Sequence, residues 1–146
     1  MLQITLHEIL TKVKNKRTKI EKIECLRKYD TPELRSILKS SFDPNIVWLL
    51  PVGEVPYNQR EFHLGDGSHK FLANEVSSLY NFIQGGNSKL KTSKREQMFI
   101  ELLECLHETE AKLLIVAKDK KLGSIYKISD VLVKEAFKWN DNYYKL

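Results

Sequence analysis

At 146 residues the chain has the size of one ordinary domain. An apolar share of 42% beside 29% charged residues excludes the low-hydrophobicity, high-charge regime of disordered chains. The formal charge of +5 is unevenly spread: Lys12, Lys14, Lys16, Arg17, Lys19, Lys22, Arg27 and Lys28 face only Glu21 and Glu24 over residues 12–28, a local excess of +6, so everything else together is slightly acidic.

No run approaches the roughly 18 consecutive apolar residues of a membrane span. Met1-Leu2-Gln3-Ile4-Thr5-Leu6 lacks the basic flank and long apolar stretch of a secretory signal. A soluble, cytoplasmic, single-domain protein over residues 1–146 is expected, with no membrane association. Cys25 and Cys105 lie in helical patterns and belong to no paired-cysteine motif, so both read as small structural hydrophobes.

Helix starts are marked repeatedly. Thr5-Leu6-His7-Glu8, Thr18-Lys19-Ile20-Glu21 and Ser93-Lys94-Arg95-Glu96 have the spacing in which a hydroxyl and a carboxylate satisfy the free amides of a first turn. Thr31-Pro32 and Asp43-Pro44 put proline just after a capping residue, where its missing N–H costs nothing. Apolar spacing agrees, with Ile20, Ile23 and Leu26, then Leu34, Ile37 and Leu38, then Val76, Leu79, Tyr80 and Ile83, then Phe99, Leu102, Leu103 and Leu106 each on one helical face. Gly85-Gly86-Asn87 predicts a helix end followed by a turn. Ser129-Asp130 predicts a last helix through Phe137, packed by Val133, Ala136 and Phe137.

Residues 51–70 depart from this pattern. Pro51, Gly53, Pro56, Gly65 and Gly67, with Phe62 and Leu64 among them, predict a long loop or one short hairpin anchored by its apolar side chains. The expected fold is therefore all-α, a compact domain of about six to eight helices with one loop insertion.

Motifs for chemistry are missing. Gly85-Gly86 is followed by no Gly-Lys-Ser, so a phosphate-cradling loop is not expected. His7, His63, His69 and His107 are dispersed, and Cys105-Leu106-His107 is too sparse for zinc. Glu101 and Glu104, or Glu108 and Glu110, are best read as solvated helix faces. With no nucleophile elbow either, no enzyme, no metal and no cofactor is expected.

The positive charge remains. Beyond residues 12–28 it recurs at Lys89, Lys91, Lys94 and Arg95 and at Lys118, Lys120, Lys121 and Lys127. The turn from Gly85 to Arg95 is basic and hydroxyl-rich and leads into a helix start, where backbone amides also attract phosphate. Lys16, Arg17, Lys19, Lys89, Lys91, Lys94, Arg95, Lys118, Lys120 and Lys121 are the candidate nucleic-acid contacts, provided that folding gathers them on one face.

Several segments, in order, resemble the N-terminal helical DNA-binding domain of ATP-dependent DNA ligases of the phage type. Leu6-His7-Glu8-Ile9-Leu10 and Ile20-Glu21-Lys22-Ile23-Glu24-Cys25-Leu26 are similar to its first two helices, and Leu34 to Pro44 to its leucine-to-proline progression. Thr92-Ser93-Lys94-Arg95, running to Leu102-Leu103, resembles its threonine-serine turn and following helix. Ala111 to Phe137, with Lys118-Asp119 and Gly123, resembles its closing segment, with lysine at Lys118 where the family has arginine. The resemblance implies a stand-alone, non-catalytic module gripping the phosphate backbone of duplex or nicked DNA. It implies no ligation, because no adenylation domain and no Lys-x-Asp-Gly motif is present.

A similarity to small proteins of large tailed bacteriophages implies the host cytoplasm as the setting. It also keeps open the alternative of a protein-interaction adaptor, inhibitor or virion component on the same scaffold. Exposure of Trp48, Tyr57, Trp139, Tyr143 and Tyr144 would favour that alternative, because aromatic anchors dominate protein interfaces; core packing is the commoner fate for Trp48.

Overall fold

The computed structural model describes residues 4–58 and 69–144. They form an all-α fold. Helix α1 (Leu6–Lys14) opens on Thr5, whose hydroxyl accepts the Glu8 amide at 3.1 Å while the Glu8 carboxylate accepts the Thr5 amide. Helix α2 (Lys19–Lys28) is capped in the same sense by Thr18 and α3 (Pro32–Phe42) by Thr31, with Pro32 in the first turn. Next in chain order among the described residues come α4 (Leu72–Glu75) and a 3-10 helix (Val76–Phe82), then α5 (Thr92–Cys105) and α6 (Glu108–Lys118). Helix α7 (Leu122–Tyr126) and α8 (Asp130–Phe137) complete the set, the last capped by Ser129 as its sequence indicates.

Four local expectations are corrected. Asp43-Pro44 does not begin a helix: Asp43 closes α3, and its carboxylate accepts the Asn45 amide at 2.9 Å in a side-chain-closed turn. Burial then alternates along residues 47–50 with a period of two, Val47 and Leu49 out and Trp48 and Leu50 in, a pattern that no helix can bury. Ser93 lies inside the first turn of α5, whose N-cap is Lys91 with no side-chain hydrogen bond.

Residues 76–82 wind as a 3-10 helix, whose three-residue repeat stacks Val76, Leu79 and Phe82. Phe82 and Leu79 are buried while Tyr80, expected on the packed face, is half exposed. Ile20 also points out, at 68% exposure, so α2 buries Ile23, Cys25 and Leu26 without it.

One hydrophobic cluster runs through every helix, from Leu6, Leu10 and Val13 to Val133 and Phe137. Helix α2 packs on α1 and α8, α3 on α6 and α7, and α5 on α6 and the 3-10 helix. Trp48 is buried with its indole N–H donating to the Ser40 carbonyl at 2.9 Å, and Trp139 and Tyr143 are buried as well. The Gly-Gly turn forms as expected: Gly85 has φ +86°, and a Cβ at Gly86 would lie 2.0 Å from the Tyr80 carbonyl oxygen.

Of the loop insertion, residues 51–58 are irregular and carry Val55 and Tyr57 onto the core. Residues 59–68, and with them the expected hairpin, Phe62 and Leu64, lie outside the described residues. Among the described residues there is no strand, only isolated bridges between Trp48 and Ile83 and between Lys70 and Leu106.

Glu110 locks this arrangement. Its side chain is buried, and its two carboxylate oxygens accept the Leu6 amide at 3.3 Å and the Leu72 amide at 3.0 Å, the opening amides of α1 and α4. Burial holds its pKa above the ordinary carboxylate value, and these two hydrogen bonds offset only part of that rise. Replacing Glu110 by Ala strips the acceptor from two buried amides and is expected to lower the unfolding free energy by about 3 kcal/mol. Glu110→Gln, which keeps one carbonyl acceptor, is expected to lose less. Urea denaturation of the three proteins checks the order, and an alanine variant as stable as the parent would remove Glu110 from this role.

Candidate nucleic-acid interface

The sequence-predicted basic residues divide into those at the surface and those drawn inside. Lys16, Arg17 and Lys19 are exposed at the short turn between α1 and α2, next to exposed Lys12 and Lys14. Two well-capped helices meeting across four residues hold this turn, so its side chains radiate from a fixed base. Lys19 is engaged by Glu135 at 2.8 Å, whereas Lys12, Lys14, Lys16 and Arg17 form no ion pair among the described residues.

Lys89, Lys91 and Lys94 are exposed around the start of α5, which has neither a side-chain cap nor an acidic residue in its first turn. The free amides and dipole of that end add partial positive charge to the three ammonium groups.

Arg95 and Lys118 are corrections to the predicted set. Arg95 is 6% exposed, and its guanidinium donates to the carbonyls of Asn81, Asn87 and Leu90 at 2.9–3.2 Å, closing the turn that precedes its own helix. Lys118 is 2% exposed, with its ammonium donating to the carbonyls of Pro51 and Gly53 and to Asp119 at 2.7 Å. Asp119 in turn accepts the Gly53 amide. Both cations are structural staples for irregular backbone, and neither can reach a phosphate without breaking its hydrogen bonds.

Lys120 is intermediate. Its backbone is left-handed at φ +62°, its ammonium donates to the Asp43 carbonyl at 2.8 Å, and partial burial pushes its pKa down. Lys121 is exposed without an ion pair among the described residues.

The surviving groups sit on different elements, although α1 and α5 both pack on α6. The α1–α2 turn sits beside α8, and Lys22 ties it to the end of α7 by donating to the Lys127 carbonyl at 2.6 Å. The lysines of α5 belong instead to the neighbourhood of the 3-10 helix and α6. The exposed cations thus form two groups along the chain, one at the α1–α2 turn and one at the start of α5. Lys12 and Lys14 belong with the first of them but are not in the predicted set; the α1 apolar face of Leu6, Ile9, Leu10 and Val13 already implies that they point outward.

Three of the four histidines meet elsewhere, a gathering that their spacing does not reveal. His7, His69 and His107 line a cleft of about 400 Å³ with Glu8, Phe71 and Glu110, where α1, α4 and α6 all begin. His69 and His107 lie ring to ring at 5.3 Å, and His107 caps α6 by accepting the Thr109 amide. His7 meets the Tyr126 hydroxyl at 2.8 Å, and burial pushes the pKa of that phenol to about 12. Among the described residues no group of three or more His, Cys, Asp or Glu is placed to hold a metal. No helix of the described residues is long and apolar enough to cross a membrane.

A sequence profile of a protein family matches residues 9–124, more than half of the chain, and the protein belongs to that family. It is DUF6433, a family of unknown function. No curated protein and no solved structure matches the chain.

Replacing Arg95 or Lys118 by Met is expected to cost about 2–4 kcal/mol of stability, because several buried carbonyls lose their donor. Nucleic-acid affinity of the folded protein should stay unchanged, and paired denaturation and binding titrations check both halves.

His7 sets a pH dependence. Its pKa lies below the ordinary value of 6.5 through burial, opposed by Glu8 and reinforced by His107. Below that ordinary value the unfolded chain takes up a proton that the folded chain resists. Stability therefore falls as pH drops from 6.5 toward the depressed folded value and then levels off. Urea midpoints between neutral and mildly acid pH should show this fall, and His7→Gln should flatten it.

Proposed function

We propose that this protein is a non-catalytic nucleic-acid-binding module that contacts the phosphate backbone through the α1–α2 turn. The observation that carries this reading is the set Lys12, Lys14, Lys16 and Arg17, all exposed, on the last turn of α1 and the connection to α2, and in no ion pair among the described residues. Glu21 and Glu24 line the same cleft as Lys12 and Lys16 without pairing with them, so the turn keeps a net positive charge that attracts a polyanion and releases its condensed ions on contact. The uncapped start of α5 with Lys89, Lys91 and Lys94 supplies a second phosphate contact, and Lys121 a lesser one. The resemblance to ligase DNA-binding domains points to the same partner, duplex or nicked DNA.

The alternative of a protein-interaction module in a phage-infected cell is favoured by a different observation. Val47, Leu49 and Val52 are exposed in one short stretch, Val52 at 77%. Trp48, Trp139 and Tyr143 are core residues and give it no support, which leaves Tyr144 and part of Tyr57 as aromatic anchors.

Fluorescence anisotropy against nicked, intact and single-stranded DNA tests the first reading. Neutralising about four phosphates of duplex DNA gives a slope of log affinity against log salt of about −3 to −4. The double reversal Lys16→Glu with Arg17→Glu is expected to weaken binding by about tenfold or more at low salt and to flatten that slope by about 2. Affinity that ignores salt, or that survives the reversal unchanged, would sink the proposal.

A further inference from the structure

A further group of cations belongs neither to the α1–α2 turn nor to the start of α5, and nothing in the proposed function uses it. Arg27 of α2, Arg35 of α3 and Lys138 at the end of α8 line a surface cleft of about 320 Å³ with Asp30, Ala136 and Phe137.

Both guanidinium groups are already fixed. Arg27 donates from Nε to the Ala136 carbonyl at 2.9 Å and from Nη2 to the Glu135 carbonyl at 3.1 Å, neutralising the negative end of α8. Arg35 forks onto the Asp30 carboxylate through Nε and Nη2 and lies 5.2 Å over the ring of Phe137. Each arginine thus keeps one terminal nitrogen, Nη1, with no hydrogen bond among the described residues and its direction set by the other two.

Charge in the cleft is unbalanced. Asp30, its one carboxylate, is committed to Arg35, and Glu135 of α8 is turned to Lys19 outside the cleft. Lys138 forms no ion pair among the described residues, and its backbone sits at φ +58°, a conformation that glycine adopts with less strain. A lysine therefore stands where the backbone prefers a residue without a side chain, and it lines the cleft together with the two oriented arginines.

We propose that this cleft is an anion site for a phosphate group, held by Arg27 Nη1, Arg35 Nη1 and the Lys138 ammonium. Planar guanidinium forks match phosphate oxygens, and charge-assisted hydrogen bonds to pre-positioned donors are the strong class. The group belongs either to a small phosphorylated molecule or to a nucleic-acid backbone, and the chemistry of recognition is shared. The site does not depend on the α1–α2 turn, so the two proposals stand or fall separately.

Inorganic phosphate is the first probe, its binding read from nitrogen-detected shifts of the Arg27 and Arg35 Nε–H groups and the Lys138 amide. Saturable shifts confined to these positions are expected. The decisive variant is Lys138→Gly, which removes the cation while relaxing a left-handed residue, so that weakened binding cannot be assigned to misfolding. It should bind phosphate about fivefold or more weakly with an undiminished melting temperature. Arg27→Gln, which keeps an amide donor for the α8 carbonyls, should act in the same direction.

A nucleoside monophosphate and a short DNA duplex then distinguish the sources. Tighter binding of the nucleotide than of phosphate assigns a small ligand, and loss of duplex affinity in Lys138→Gly assigns a backbone contact. No saturable shift at the three residues by about 20 mM phosphate, or unchanged affinity in both folded variants, would overturn the site.

Discussion

Short helices joined by irregular connections leave many main-chain amides and carbonyls without helical partners, and meeting that demand inside the protein is the constraint on which the rest of the structure depends. Three buried ionic side chains meet seven of these groups. Glu110 takes the first amides of α1 and α4, Arg95 takes three carbonyls of the turn before α5, and Lys118 takes two from the segment after Leu50. Every buried side-chain nitrogen and oxygen among the described residues has a partner. In each case the charge stays inside because several hydrogen bonds replace its water.

This use of charge explains why the candidate site is only partly legible in the sequence. Thr5, Thr18, Thr31 and Ser129 announce their helices through local hydrogen bonds within a few residues, and the structure agrees with them. Leu34, Ile37 and Leu38 likewise declare a buried face through spacing alone. Arg95 and Lys118 have no such local signature. Whether a basic residue projects into water or turns inward depends on carbonyls up to 67 residues away. The three-histidine cleft and the Arg27–Arg35–Lys138 cluster are hidden in the sequence for the same reason, since each joins elements distant along the chain.

Local signals also fail where two structures satisfy them equally. Asp43-Pro44 fits a helix start and a helix exit, and only the alternating burial of residues 47–50 decides between them. Residues 76–82 fit either helical repeat, and the large side chain of Phe82 favours the tighter one by falling in line with Leu79. The redistribution matters for function, because charge density along the chain overstates the cations available to a partner. What remains is the exposed cations of the α1–α2 turn and of α5, and a compact cleft of fixed guanidinium groups.

The hydrogen bond between the Leu6 amide and Glu110 spans 104 positions of the chain. During synthesis the first helix therefore emerges long before the carboxylate that secures its opening amide, and it must wait, with its apolar stripe only partly covered, until α6 has left the ribosome. Completion of the core is in this sense a late event, with the beginning of the protein held back by its final third.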